Sequence, residues 1–185
     1  MDINISKTYY TTSLYESFTV TKARIEKITN GTVWYCAAKI PEDEVLYTCA
    51  MPVELFKKYY KDINEIKEHI RTQIHLLRNS LREVLYDGNK VKNIDEIRKD
   101  SKIYHLVQSD DFYYDTKIES VIKIERYDLG PGYHISYRYI LGSKYAMINN
   151  EGTGIGGKLI LIKNKMIEKL ERMIYTLQKI YLNLK

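Results

Sequence analysis

The 185-residue sequence predicts an α+β fold made of two β-β-β-α halves, each a three-stranded antiparallel sheet followed by a long helix. Three observations carry that expectation. Alternating, β-branched segments separated by turn residues occur in two sets of three. Each set runs into a stretch whose apolar residues recur at alternating spacings of three and four. The two sets also overlay at an offset near 100: Arg24-Ile25-Glu26-Lys27 falls near Lys123-Ile124-Glu125-Arg126, and Gly31 near Gly130.

The first set begins with Ser17 to Ile28, which alternates as a half-buried strand does. Asn30-Gly31 is a hairpin-turn dipeptide, because both residues tolerate positive φ. Thr32 to Ile40 and Val45 to Cys49 follow as strands around the acidic turn Pro41-Glu42-Asp43-Glu44. Pairing Ile40 with Val45 would set Cys36 opposite Cys49, either as two small buried hydrophobes or as a thiol pair able to oxidise or hold a metal. Pro52 suits the first turn of a helix. Phe56, Tyr60, Ile63, Ile70, Ile74, Leu77, Leu81 and Val84 then describe one continuous heptad helix, broken in pattern only at Lys67 and stopped by Asp87-Gly88-Asn89. About 34 residues at ~1.5 Å each would span ~50 Å, so part of the helix either projects or has a long partner, which could be the other helix or a second copy of the chain.

Residues 89–116 form an irregular linker between halves 1–88 and 117–185, with a short helix expected over Ile94 to Leu106 and an acidic, aromatic loop over Ser109 to Asp115. In the second half, Ile118 to Tyr127, Tyr133 to Ile140 and Lys144 to Asn149 read as strands, and Lys158 to Leu184 as a heptad helix.

The charge distribution supplies the main functional pointer. The net charge is +5, and residues 158–185 alone hold seven Lys or Arg against two Glu, so the whole excess sits on the last helix. Lys158, Lys165, Arg172 and Lys179 recur every seventh residue with Lys163 and Lys169 beside them, a cationic column able to track phosphates or an acidic protein surface. In Tyr133 to Ile140, alternation puts Tyr133, Tyr137 and Tyr139 on one face and His134 and Arg138 on the other, a candidate stacking platform. Because the chain has 18 Tyr and 3 Phe, tyrosine must also serve as core filler.

Gly152-Thr153-Gly154-Ile155-Gly156-Gly157-Lys158-Leu159 partly matches two phosphate-binding patterns. Leu159 stands where a Walker A loop needs Ser or Thr, and no strand follows to complete a dinucleotide site. What remains is an anion site built from the amides of Gly152, Gly154, Gly156 and Gly157 at a helix N-terminus, or a plain strand-to-helix turn. His69, His75, His105 and His134 form no metal-ligand spacing, and no nucleophile motif occurs. No catalytic residue, metal or cofactor is therefore expected.

The N-terminus lacks a signal-peptide pattern and no apolar run approaches ~18 residues, so a soluble, cytoplasmic protein without a membrane partner is expected. The reading is a small non-catalytic protein that contacts nucleic acid or a nucleoprotein complex through its basic C-terminal helix, as a homodimer. The alternatives are a stoichiometric inhibitor of phage or mobile-element type that binds a host protein, and a nucleotide-binding enzyme using residues 152–158.

Overall fold

The computed structural model describes residues 2–15, 17–40, 45–92, 96–109, 113–127, 136–141, 144–148, 154–155 and 159–184. The fold is α+β with antiparallel sheets. Its elements are β1 (Thr8–Tyr15), β2 (Ser17–Thr29), β3 (Thr32–Ile40), β4 (Val45–Pro52), α1 (Val53–Tyr59), α2 (Ile63–Tyr86), β5 (Lys102–Gln108), β6 (Tyr114–Ser120), β7 (Lys123–Tyr127), β8 (Ser136–Leu141), β9 (Lys144–Ile148), β10 (Gly154–Ile155), β11 (Leu159–Leu161) and α3 (Lys163–Asn183). The sheets run β1-β2-β3-β4, β10-β9-β8-β7 and β11-β5-β6. The chain divides into two compact units, Met1–Ile74 with Met173–Lys185, and His75–Arg172, and α2 and α3 each contribute to both.

In the first unit the sheet has four strands rather than three, because residues 8–15 add β1 to the edge of β2. The β2–β3 hairpin turns where the sequence expects, with Asn30 at φ 50° and Gly31 at φ 71°. One sheet face carries Tyr9, Ala23, Ile25, Val33, Tyr35 and Ala37, packed with Phe56 and Tyr60 into a hydrophobic core. Tyrosine is core filler here. Phe56 meets Tyr9 and Tyr35 edge-on at ring-centroid distances of 5.5 and 5.3 Å and stacks on Tyr60 at 4.5 Å. Burial of Phe56 contributes roughly 1.5–3 kcal/mol before such ring contacts are added.

The single 34-residue helix is corrected to α1 and α2. Tyr60 is extended (φ −106°, ψ 136°), and Lys61 exchanges two 2.7 Å backbone hydrogen bonds with Tyr10 of β1. Asp62 then starts a new helix. Its Oδ1 accepts the amides of Asn64 (2.8 Å) and Glu65 (2.9 Å), and Glu65 Oε2 accepts the Asp62 amide (3.0 Å). This is a capping box, and Asp62-Ile63-Asn64-Glu65 is its sequence signature.

Cys36 and Cys49 are not cross-strand partners. Cys36 faces Thr48 and Tyr35 faces Cys49, with a register shift between Ala37 and Ala38. Relative to the expected pairing the strands slip by one residue, which puts the two thiols on opposite faces of the sheet. Both are free.

The second unit departs further from two matching halves. Lys102–Gln108, most of which falls within the short helix expected over Ile94 to Leu106, is instead the central strand of β11-β5-β6. Ile103, Tyr104, His105 and Leu106 are consecutively buried, so the run lacks the alternation that marks a half-buried strand. The strand expected over Ile118 to Tyr127 is divided: β6 pairs with β5, and β7 pairs with β8. Between them the Val121 amide donates to Ser101 O (2.8 Å), Val121 O accepts the Asp100 amide (2.7 Å), and the side chain packs with Ile97, Ile103 and Ile162. The final helix starts at Lys163, because Leu159–Leu161 pair with Leu106, His105 and Tyr104 as β11.

Candidate nucleic-acid interface

α3 sorts its residues by exposure as the heptad pattern requires. Met166, Leu170, Met173, Leu177 and Ile180 are buried, while Lys165, Arg172 and Lys179 are exposed. Seven residues are about 10.5 Å of helix, so these three form a column. Lys165 pairs with Glu168 at 3.1 Å, and Lys179 Nζ lies 5.0 Å from the ring centroid of the exposed Tyr175. Lys169 is half-buried. Met166, Leu170, Met173, Leu177, Ile180 and Leu184 are covered within one chain.

Lys163 has a different job. Its side chain is 15% exposed, and Nζ donates to Leu85 O (3.1 Å) and Asp87 Oδ1 (3.1 Å). Asp87, 4% exposed, also accepts the Asn89 amide (2.9 Å) and the Tyr104 hydroxyl. Lys102 Nζ donates to Asp87 O (2.9 Å). α2 carries no cation in its last turn, and Lys163 and Lys102 supply charge to its C-terminal carbonyls from elsewhere in the chain. Burial pushes the Asp87 carboxyl up, but the hydrogen bonds from Tyr104, Asn89 and Lys163 outweigh it and hold the group below its usual range. Burial, and then the same carboxylate, push the Tyr104 hydroxyl up.

The remaining expected site residues are scattered or lie elsewhere. Arg138 is in β8, in register with Glu125 of β7. Gly154 is in β10, opposite Ile148 of β9. Lys158, His134, Gly152, Gly156 and Gly157 lie outside the described residues. α3 begins after β11 and Ile162, so the glycine string does not lead directly into the helix N-terminus on which an anion site there would depend.

Two further groups were missed by sequence reasoning. On α2, Arg71, His75, Arg78 and Arg82 are exposed at spacings of four, three and four, which places them on one helix face. The heptad pattern contains that face, but neighbouring Glu residues hide it from a count of net charge. The second group is on the open face of the first sheet. Thr8, Arg24, Cys36 and Thr48 form one cross-strand row, and Tyr10, Lys22 and Ala38 the next. Thr8, Tyr10, Lys22, Arg24, Cys36, Ala37 and Ala38 line a groove of about 440 Å³. Beside it, Lys27 Nζ lies 5.2 Å from the ring centroid of Trp34, which is 39% exposed. The Cys36 thiol donates to Glu26 Oε1 (2.9 Å), and that carboxylate pushes the thiol up from its ordinary range, away from a reactive thiolate. Finding this face takes the β1–β2 register and the shift between Ile25 and Lys27 in β2–β3, which no local motif encodes.

Among the described residues, no group of three His, Cys, Asp or Glu converges to hold a metal ion, and no helix is long and apolar enough to cross a membrane. No protein-family model, curated protein or solved structure matches this chain.

Proposed function

We propose that the protein is a non-catalytic nucleic-acid-binding protein that meets the phosphate backbone with α3. The observation that carries this reading is the exposure of Lys165, Arg172 and Lys179 at seven-residue intervals along one helix. Lys163 is set apart from them by its role beneath Asp87. Exposed cations contribute to nucleic-acid affinity by releasing counterions, whereas an ammonium already held by a buried carboxylate does not.

Anisotropy of a labelled duplex and a labelled single strand, titrated between 50 and 200 mM salt, tests the reading. Log affinity should fall linearly with log salt. The K165E/R172E/K179E variant should lose affinity, and its salt slope should be shallower by up to about 2.7 on duplex or 2.1 on single strand, at roughly 0.9 or 0.7 per phosphate contact. Binding that ignores salt, or a triple variant that binds like the parent, refutes it.

A further inference from the structure

We propose that the open face of the first sheet is a binding site for single-stranded nucleic acid, with a base stacked on Trp34 and phosphate held at Lys22 and Arg24. The proposal rests on the nucleic-acid reading above and deepens it by naming the strand state and a second surface.

The opposite side of the sheet is closed by Phe56 and Tyr60, so the aromatic and cationic groups on this side are not needed for that core. Along β2 and β3, cationic and aromatic groups alternate with small residues. Lys27 stands over Trp34, Arg24 is flanked by Thr8 and Cys36, and Lys22 by Tyr10 and Ala38. Two cations, Lys22 and Arg24, line the groove and a third, Lys27, stands beside it over Trp34, against the Glu26 carboxylate that accepts from Cys36, a balance that matches a polyanion rather than a neutral or basic ligand.

Shape and chemistry then select the strand state. Stacking on an aromatic side chain uses the π-face of a base, which a duplex conceals between neighbouring pairs. The groove of about 440 Å³ beside Trp34 is in the range that accommodates a small organic group.

The test is direct, because Trp34 is the single tryptophan of the chain and its fluorescence reports the face alone. The full chain is titrated with unlabelled oligo-dT, oligo-U and a duplex of equal length, following tryptophan emission, and with labelled forms followed by anisotropy. Saturable quenching by oligo-dT or oligo-U, and weaker quenching by duplex, is the expected result. The relative strength of the two single strands identifies the sugar that is preferred. Trp34→Ala should weaken single-strand binding roughly 5- to 150-fold, Trp34→Phe by less, and Arg24→Glu should weaken it while circular dichroism stays unchanged. The K165E/R172E/K179E protein should still show quenching at saturation. Anisotropy changes with a silent Trp34, or R24E and W34A proteins that bind like the parent, overturn this site while leaving the nucleic-acid reading standing. Stronger quenching by duplex than by either single strand also overturns it. No binding of any oligonucleotide overturns both.

Discussion

Replacing Asp87 by Ala should destabilise the protein far more than its place at a helix end suggests. The carboxylate is 4% exposed and accepts from Lys163, the Asn89 amide and Tyr104. Truncation leaves the Lys163 ammonium, itself 15% exposed, with only Leu85 O as a described acceptor. Breaking a buried ion pair by removing one partner costs about 3–5 kcal/mol, and the retained Leu85 bond points to the low end, about 3 kcal/mol. For a chain of this size that corresponds to a fall in Tm of roughly 6–12 °C. Lys163→Met should cost less, about 1–2 kcal/mol, because Asp87 keeps Tyr104 and Asn89 and the methionine stem retains the packing. The D87A/K163M double variant should be more stable than the sum of the two single losses predicts, because it buries no orphaned charge. Thermal unfolding followed by circular dichroism at pH 7 measures all four proteins. A D87A protein melting within about 2 °C of the parent, or strictly additive single and double losses, would refute the argument that this network is a coupled buried unit. The result also guards the functional mapping: a Lys163 variant that loses binding reports instability rather than a lost phosphate contact.

Two further outcomes follow from the first unit. Asp62→Ala removes the acceptor for the Asn64 and Glu65 amides and should cost about 1 kcal/mol, read as a fall in Tm of roughly 2–4 °C, with Asp62→Asn recovering most of it; an unchanged D62A melt would show that the cap does not hold α2. His69, 5% exposed, has its pKa lowered to about 4 by burial first and by Lys61 second. Its folded pKa therefore lies below its unfolded value, so the folded state binds fewer protons and stability falls as pH drops from about 6.5 towards 4. The shift corresponds to about 3 kcal/mol at its full extent. Urea midpoints measured between pH 7 and 4 should decline for the parent and stay flatter for His69→Gln, and parallel declines would remove His69 as the cause. The Asp87 contribution is separable from it, because a depressed carboxyl pKa keeps its stabilisation until the pH falls below the usual carboxylate range.

Much of the architecture was legible locally. The Asn30-Gly31 turn, the heptad stripes of α2 and α3, the Asp87-Gly88-Asn89 stop and the use of Tyr as core filler all follow from neighbouring residues and their periodicity. The break between α1 and α2 was written as Asp62-Ile63-Asn64-Glu65, but the apolar spacing runs through it unbroken. β5 was unreadable for the opposite reason: a strand buried on both faces shows no alternation, and its length does not separate it from a helix.

Amino-acid order alone determined an α+β chain with two amphipathic helices and a cationic last helix, since periodicity and charge are properties of near neighbours. Tertiary structure decided which cations remain available. Lys163 and Lys165 are two residues apart, yet one is held beneath Asp87 and the other stands exposed, because only the return of the chain past Leu85 brings a buried carboxylate to the first. The same holds for the sheet. Alternation puts Lys22 and Arg24 on one face of β2, but Tyr10 and Trp34 join them only through strand registers, and a slip of one residue, as at Ala37 and Ala38, would have sent each of these to the other side.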